Sequence, residues 1–261
     1  MASVSLVQQL LSILAGSLVG FTLGVVGGGG SILAVPLLLY MVGYHDPHVV
    51  IGTTALAVAL TAFANLLPHW RVGNVRWKPG LAFALPGAVG AALGARLGKA
   101  VDGKQLLFLF AVLMIGVAVS MVRQRKTTPR PEAGRAMLMR VAPLGLLVGL
   151  LAGFFGIGGG FLIVPALMFA TGMPILSAVG TSLISVGAFG TSTAISYALV
   201  GQVNWLIAIE YFAGGVAGGW LGAKVAMRLG ARKHLLTRVF ASVVFVVALY
   251  MLSMNINAFH L

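Results

Sequence analysis

The chain has 261 residues, 59% of them hydrophobic and only 8% charged, with a mean hydropathy of +1.04. No soluble domain of this size offers water so little polar surface, and the absence of cysteine excludes disulfides, iron–sulfur clusters and thiolate metal sites. The net charge of +13 invites a nucleic-acid partner, but the basic residues lie mostly in short loops between apolar spans, where they act first as a topology signal and second as an electrostatic funnel for an anionic solute.

In chain order, apolar segments fall near residues 4–26, 31–43, 48–67, 79–98 and 105–122, and a basic stretch follows from Arg123 to Arg140. A second series then runs near 141–156, 160–172, 175–199, 205–225 and 234–254. Several of these approach the ~20 residues that span a bilayer. A secretory signal would be one short apolar run followed by soluble sequence, so the first segment is read as structure. The expected class is an all-α polytopic membrane protein, with a first transmembrane repeat over 1–122, a basic cytoplasmic linker over 123–140 and a second transmembrane repeat over 141–261.

The two series are copies. Gly24-Val-Val-Gly27-Gly-Gly-Gly-Ser-Ile-Leu-Ala-Val-Pro36 returns as Gly153-Phe-Phe-Gly156-Ile-Gly-Gly-Gly-Phe-Leu-Ile-Val-Pro165, with seven of thirteen positions identical at an offset of 129. Elsewhere the offset is 128: Gly52-Thr53 meets Gly180-Thr181, Val72-Gly73 meets Val200-Gly201, Trp77 meets Trp205, and Leu93-Gly94-Ala95 meets Leu221-Gly222-Ala223. Five segments per copy is an odd number, so the second copy is expected to enter the membrane from the opposite side as an inverted repeat. Alternation gathers Arg71, Arg76, Lys78, the basic residues of 123–140, Arg228, Arg232 and Lys233 on one side, against Arg96, Lys99 and Lys104 on the other. The richer side is assigned to the cytoplasm, which puts both termini outside.

The segments 31–43 and 160–172 hold thirteen residues each, or ~20 Å of helix, too short for a ~30 Å hydrocarbon core. Each is expected to begin inside the membrane at its glycines, crossing or returning, where freed backbone groups must be buried in protein or face a wet cavity. Glycine-interrupted segments at corresponding positions of two halves point to a binding site at the midplane of a secondary transporter. A helix start supplies unpartnered N–H groups backed by the positive end of the helix dipole, which favours an anion. The candidate binding groups are Gly29, Gly30 and Ser31 in one half and Gly158, Gly159 and Gly160 in the other. Close helix packing is the alternative for any single glycine, and the reading for Gly87, Gly90, Gly94, Gly214, Gly215, Gly218, Gly219 and Gly222.

Thr53 and Thr181 could donate hydroxyls to a bound oxyanion or bond within the helix bundle. Asn65, a single amide in an apolar helix, is open to the same two readings. Glu210 stands inside Leu206-Ile-Ala-Ile-Glu-Tyr-Phe212. It is a proton-coupling candidate, or one half of a buried ion pair with Arg238. His45-Asp46-Pro47-His48 is better read as a loop than as a metal site, because no second cluster of ligands supports it. No nucleophile elbow, phosphate-binding lysine motif or paired carboxylates suggest an enzyme, and no cofactor is implied.

At the paired Gly-x-Gly-Gly-Gly-x-x-x-x-Pro motifs, with Gly52-Thr53, Gly180-Thr181 and the duplicated layout around them, the sequence resembles the sulfite exporter TauE/SafE family over essentially its full length. The resemblance implies an integral protein of the bacterial cytoplasmic (inner) membrane that moves small sulfur-containing anions, sulfite or organosulfonates, often outward. By motif position it carries binding roles to Gly29, Gly30, Gly158 and Gly159, and more loosely to Thr53 and Thr181. The first copy departs from the pattern in reading Gly-Gly-Gly-Gly-Ser31 where the second reads Gly-Ile-Gly-Gly-Gly160, so the half-sites are alike but unequal. The residues alone leave open uptake of another small anion or a metal ion. They also leave open a membrane anchor or assembly subunit whose glycines serve only packing. The expected partners are the bilayer and a small anion, without nucleic acid, and the glycine-rich helix faces would suit a homodimer.

Overall fold

The computed structural model describes residues 5–122, 135–156, 160–228 and 233–255, and among these every regular element is helical. The order is α1 (Leu6–Val26), an irregular helical segment (27–41), α3 (Pro47–Arg71), α4 (Trp77–Lys99), α5 (Gly103–Val122), α6 (Arg135–Phe155), α7 (Gly160–Thr171), α8 (Ile175–Ala198), α9 (Trp205–Arg228) and α10 (Lys233–Met254). The irregular segment is a 3-10 run over Gly27–Leu33, a single α turn, α2 (Ala34–Pro36), and a π turn over Leu37–Met41. Six runs among the described residues are long and apolar enough to cross a membrane, one of them made of α1 and the irregular segment together. Polar caps set the starts. Ser5 and Gln8 form a capping box on α1, Asp46 accepts from His48 and Val49 ahead of Pro47 on α3, and Asp102 accepts from Lys104 and Gln105 on α5, each satisfying otherwise orphaned amides.

Two boundaries differ from expectation. α3 continues through Pro68 to Arg71, although a proline there gives up its bond to the Ala64 carbonyl and crowds it. α6 begins at Arg135, ahead of the expected residue 141, because a helix can extend past the hydrocarbon core on residues that hydropathy does not register.

The helix pairs with the most extensive contact are α1 with α9 and α4 with α6, followed by α3 with α8, α4 with α8, α5 with α10 and α3 with α9. Exchanging the two halves of the chain maps this set of pairs onto itself. The register of the contacts gives direction. Gly16, Gly20 and Gly24 meet the backbone of Tyr211, Gly215 and Gly219 in turn, so α1 and α9 run parallel. Gly90, Gly94 and Gly98 meet Leu146, Leu150 and Phe154, so α4 and α6 are parallel as well. α3 runs with α1, through Asn65 to Gly20 and His69 to Gly24, and antiparallel to α8, where Ala59 meets Gly190 and Phe63 meets Gly187.

The segment after α1 returns. Gly27 has φ +74 and ψ −147, open to glycine and strained for other residues. Gly30 then lies so tightly on Thr22 and Leu23 of α1 that a methyl group there would meet their backbone. The glycine break expected from sequence is therefore at Gly27, and helical turns begin there and not at residue 31.

Candidate functional site at the paired glycine segments

The segment 27–33 packs against α7 and α8, and α7 packs against α6 and α8. The first glycine segment and α7, distant in sequence, thus come together. Gly27 and its counterpart Gly156 both have positive φ, +74 and +68. Each seats on the other half in the same way, Gly27 against Val179 and Ser182 of α8, and Gly156 against Ile51 of α3.

Residues 27–33 are all buried. The Gly28 N–H donates to Ser182 Oγ at 3.1 Å, and that hydroxyl donates to the Val179 carbonyl at 2.7 Å. Ser31 is fully buried and its Oγ donates to the Gly28 carbonyl at 2.9 Å. Gly29 differs from its neighbours: among the described residues, a methyl group on it would meet only its own helix turn, Val26 Cγ1 at 3.0 Å. Of the second copy, Gly158 and Gly159 lie outside the described residues, and Gly160 opens α7.

Thr53 and Thr181 are buried in symmetrical places. Thr53 Oγ1 accepts from the Asn204 N–H and Thr181 Oγ1 accepts from the Arg76 N–H, both at 2.9 Å. Arg76 and Asn204 correspond at the repeat offset, and each precedes the fourth helix of its half, α4 or α9. The adjoining glycines admit the same turns closely, with the Gln202 carbonyl over Gly52 and the Asn74 carbonyl 2.8 Å from where a methyl on Gly180 would lie. Each threonine therefore fastens a helix start contributed by the other half.

Asn65 is fully buried between α1 and α9. Its Nδ2 donates to the Gly20 carbonyl at 3.5 Å, and its side chain fills the space left by Gly219. One turn on, His69 Nε2 lies 3.1 Å from the Gly24 carbonyl.

Glu210 is half-buried near the start of α9, with Oε2 enclosed and without a hydrogen-bond partner among the described residues. Tyr44 is its neighbour. Burial, and to a smaller degree the Glu210 carboxylate, push the Tyr44 hydroxyl above its usual range, against the hydrogen bond from Asn204 Nδ2 at 2.5 Å. The side chain of Arg238 lies outside the described residues. Its helix, α10, begins beyond the end of α9, whereas Glu210 sits close to the start of α9.

His48 stacks on Tyr197 with ring centroids 6.3 Å apart, and Lys99 Nζ lies 5.6 Å from the same ring while donating to the Ser196 carbonyl at 2.6 Å. Ser182, whose hydroxyl the sequence offers together with that of Thr181 as a donor to a bound oxyanion, also accepts a backbone bond across the halves. Its only signal was its place beside Thr181, and its bond to Gly28 arises from tertiary contact. A largely apolar cavity of about 320 Å³, lined by Leu33, Pro36, Leu37, Tyr40, Val247 and Tyr250 among others, opens between the irregular segment and α10, on the flank of the glycine site.

Comparison with known proteins agrees with this architecture. The family model "Sulfite exporter TauE/SafE" matches residues 12–251. A "Probable membrane transporter protein" of Xylella fastidiosa strain Temecula1 is 51% identical over 250 residues, covering 94% of this chain and 96% of that protein. "Probable membrane transporter protein YunE" of Bacillus subtilis is 28% identical over 243 residues, covering 84% and 89%. A "Probable membrane transporter protein" of Methanocaldococcus jannaschii is 26% identical over 206 residues, covering 74% and 75%. With a match that takes in both glycine segments and nearly every helix around them, the chain belongs to the sulfite exporter TauE/SafE family of integral membrane transporters.

Proposed function

We propose that the protein is a secondary transporter carrying a small sulfur-containing anion, sulfite or an organosulfonate, outward across the cytoplasmic membrane of a bacterium. The observation that carries this reading is the meeting of segment 27–33 with α7 and α8. Amide donors and the positive dipole end at the start of each segment would together form an anion-binding device that needs no buried arginine. The binding groups would be Gly29, Gly30 and Ser31 with Gly158, Gly159 and Gly160, while Thr53 and Thr181 hold the surrounding frame. The contact registers support an inverted repeat, since α1, α3 and α9 share one direction and α4, α6 and α8 the other. That arrangement suits a site exposed alternately to the two sides.

Glu210 is the proposed proton-coupling group. Two of the four acidic residues, Asp46 and Asp102, are occupied as helix caps, and an ionisable side chain with an enclosed, unpartnered oxygen at membrane depth is a functional candidate. The test is sulfite and sulfoacetate flux into proteoliposomes holding purified protein, with and without an imposed pH gradient. Saturable flux that responds to the gradient, and loses that response in Glu210→Gln, is the expected result. No flux of either anion from folded protein would sink the sulfur-anion reading and favour another solute or a scaffold role.

A further inference from the structure

The moving parts of such a transporter are usually equated with the two halves of the sequence, and the packing here divides the chain differently. α1 and α3 of the first half are joined to α9 of the second, and α6 and α8 of the second half to α4 of the first. The joints inside each group are tight. In the first, Gly16, Gly20 and Gly24 of α1 interlock with Gly214, Gly218 and Gly222 of α9, with backbones too close to admit a methyl group. Thr61 and Asn65 of α3 fill the notches at Gly215 and Gly219, and Thr53 takes the Asn204 N–H. In the second, Gly90, Gly94 and Gly98 interlock with Gly145, Gly149 and Gly153, Phe189 of α8 fills the notch at Gly87, Ser192 Oγ donates to the Ala88 carbonyl at 2.7 Å, and Thr181 takes the Arg76 N–H.

The contact between the groups is apolar. α3 and α8 meet through Ala55, Ala59 and Phe63 against Gly187 and Gly190, with Phe63 filling the Gly187 notch as closely as the notches inside the bundles are filled, but mainly by side chains set on glycine and not by backbone columns like those that join α1 to α9 and α4 to α6. The segment 27–33 and α7 also lie here. Gly30 sits on α1 and the Ala34 carbonyl accepts from Tyr211 of α9, while α7 sits on α6 and α8. The hydrogen bond from the Gly28 N–H to Ser182 crosses between them.

We propose that the rigid bodies of this transporter are two composite bundles that exchange their fourth helix, α1–α3–α9 and α6–α8–α4, and that transport is their relative movement along the α3–α8 seam around the substrate. Thr53 and Thr181 are positioning residues that fasten the exchanged helix to its host. This rests on the transport reading above.

The absence of cysteine makes disulfide trapping direct. Thr61→Cys with Gly215→Cys joins α3 to α9 inside one bundle, where the Cβ separation would be 3.2 Å. Ala59→Cys with Gly190→Cys joins α3 to α8 across the seam, where it would be 2.9 Å. Both fall short of the ~3.5–4.5 Å of a disulfide, by about 0.3 and 0.6 Å, so each bond forms with a small parting of its helices, and both link the first half of the sequence to the second. The expected result is that oxidation leaves flux through the first variant within about twofold of its reduced form and abolishes flux through the second, with recovery on reduction. Equal inhibition of both would overturn the composite bundles and restore the halves as moving parts, and undiminished flux through the oxidised seam variant would overturn the seam. A parent protein without flux would fail the transport reading instead. Amide hydrogen exchange on the unmodified protein covers a variant that does not fold: the amides of Gly20 and Gly94, buried in the backbone columns of the two bundles, should exchange at least tenfold more slowly than that of Gly28 at the seam, and equal protection of all three would refute the division.

Discussion

Gly20→Ala tests whether the glycine columns hold the bundle together. A methyl group there would lie 2.6 Å from the Gly215 carbonyl carbon, with the carbonyl oxygen nearer still, and ordinary contact begins near 3.4 Å. The difference, 3.4 − 2.6 Å, requires α1 and α9 to part by at least 0.8 Å. A gap of that size forfeits roughly a quarter to a half of the dispersion attraction of the atoms flanking it, and a rigid backbone cannot rotate aside as a side chain would. Overpacking of this kind costs up to about 3 kcal/mol, offset by a gain of about 1 kcal/mol in helix propensity. Gly116 of α5, with nothing within 4 Å of the added methyl, is the control and should keep the ~1 kcal/mol gain. Thermal unfolding in detergent, followed by tryptophan fluorescence, should separate the two variants by roughly 6–12 °C, taking ~2–4 °C per kcal/mol for a chain of about this size. Coincident unfolding temperatures would refute the argument that close backbone approach stabilises this pair.

Within the glycine site, Gly29→Ala should unfold within a few degrees of the parent yet lose most sulfite flux, because among the described residues its methyl meets only Val26. Gly30→Ala should lose stability as well, since its methyl is 2.7 Å from Thr22 Oγ1 and closer to the backbone. Thr53→Val and Thr181→Val each leave one partly buried backbone N–H without its acceptor and should cost about 1 kcal/mol apiece, with the serine variants retaining most of the stability. A thermal-melt series that shows no difference between valine and serine would count against the fastening role. Asn65→Ala empties the space over Gly219 and should lower the melting temperature while leaving the apparent KM for sulfite unchanged; a raised KM at unchanged stability would return Asn65 to the substrate site.

The duplication made the membrane class, the number of segments and the place of the glycine breaks legible, because these depend on runs of apolar residues and on repeated glycines. What each polar residue does was less legible, because it depends on partners far away in sequence. Thr53 and Thr181 recur at matching positions whether they bind an anion or hold a neighbouring turn. Only the folded register, with Asn204 151 residues and Arg76 105 residues away, shows that their hydroxyl oxygens accept backbone bonds, which leaves each O–H a donor. Asn65 is undecided by sequence for the same reason: an amide facing a lumen and one facing a glycine notch on α9 sit in the same apolar surroundings. Gly27 and Gly30 are neighbours in one glycine run, yet the first supplies a positive φ and the second a close approach to α1. A local pattern can mark where the backbone is allowed to break, but the work done by each residue at the break is set by the surface it comes to lie against. The exchange of α4 and α9 is the fullest case, for the repeat in sequence suggests two bodies and the packing builds each of them from both halves.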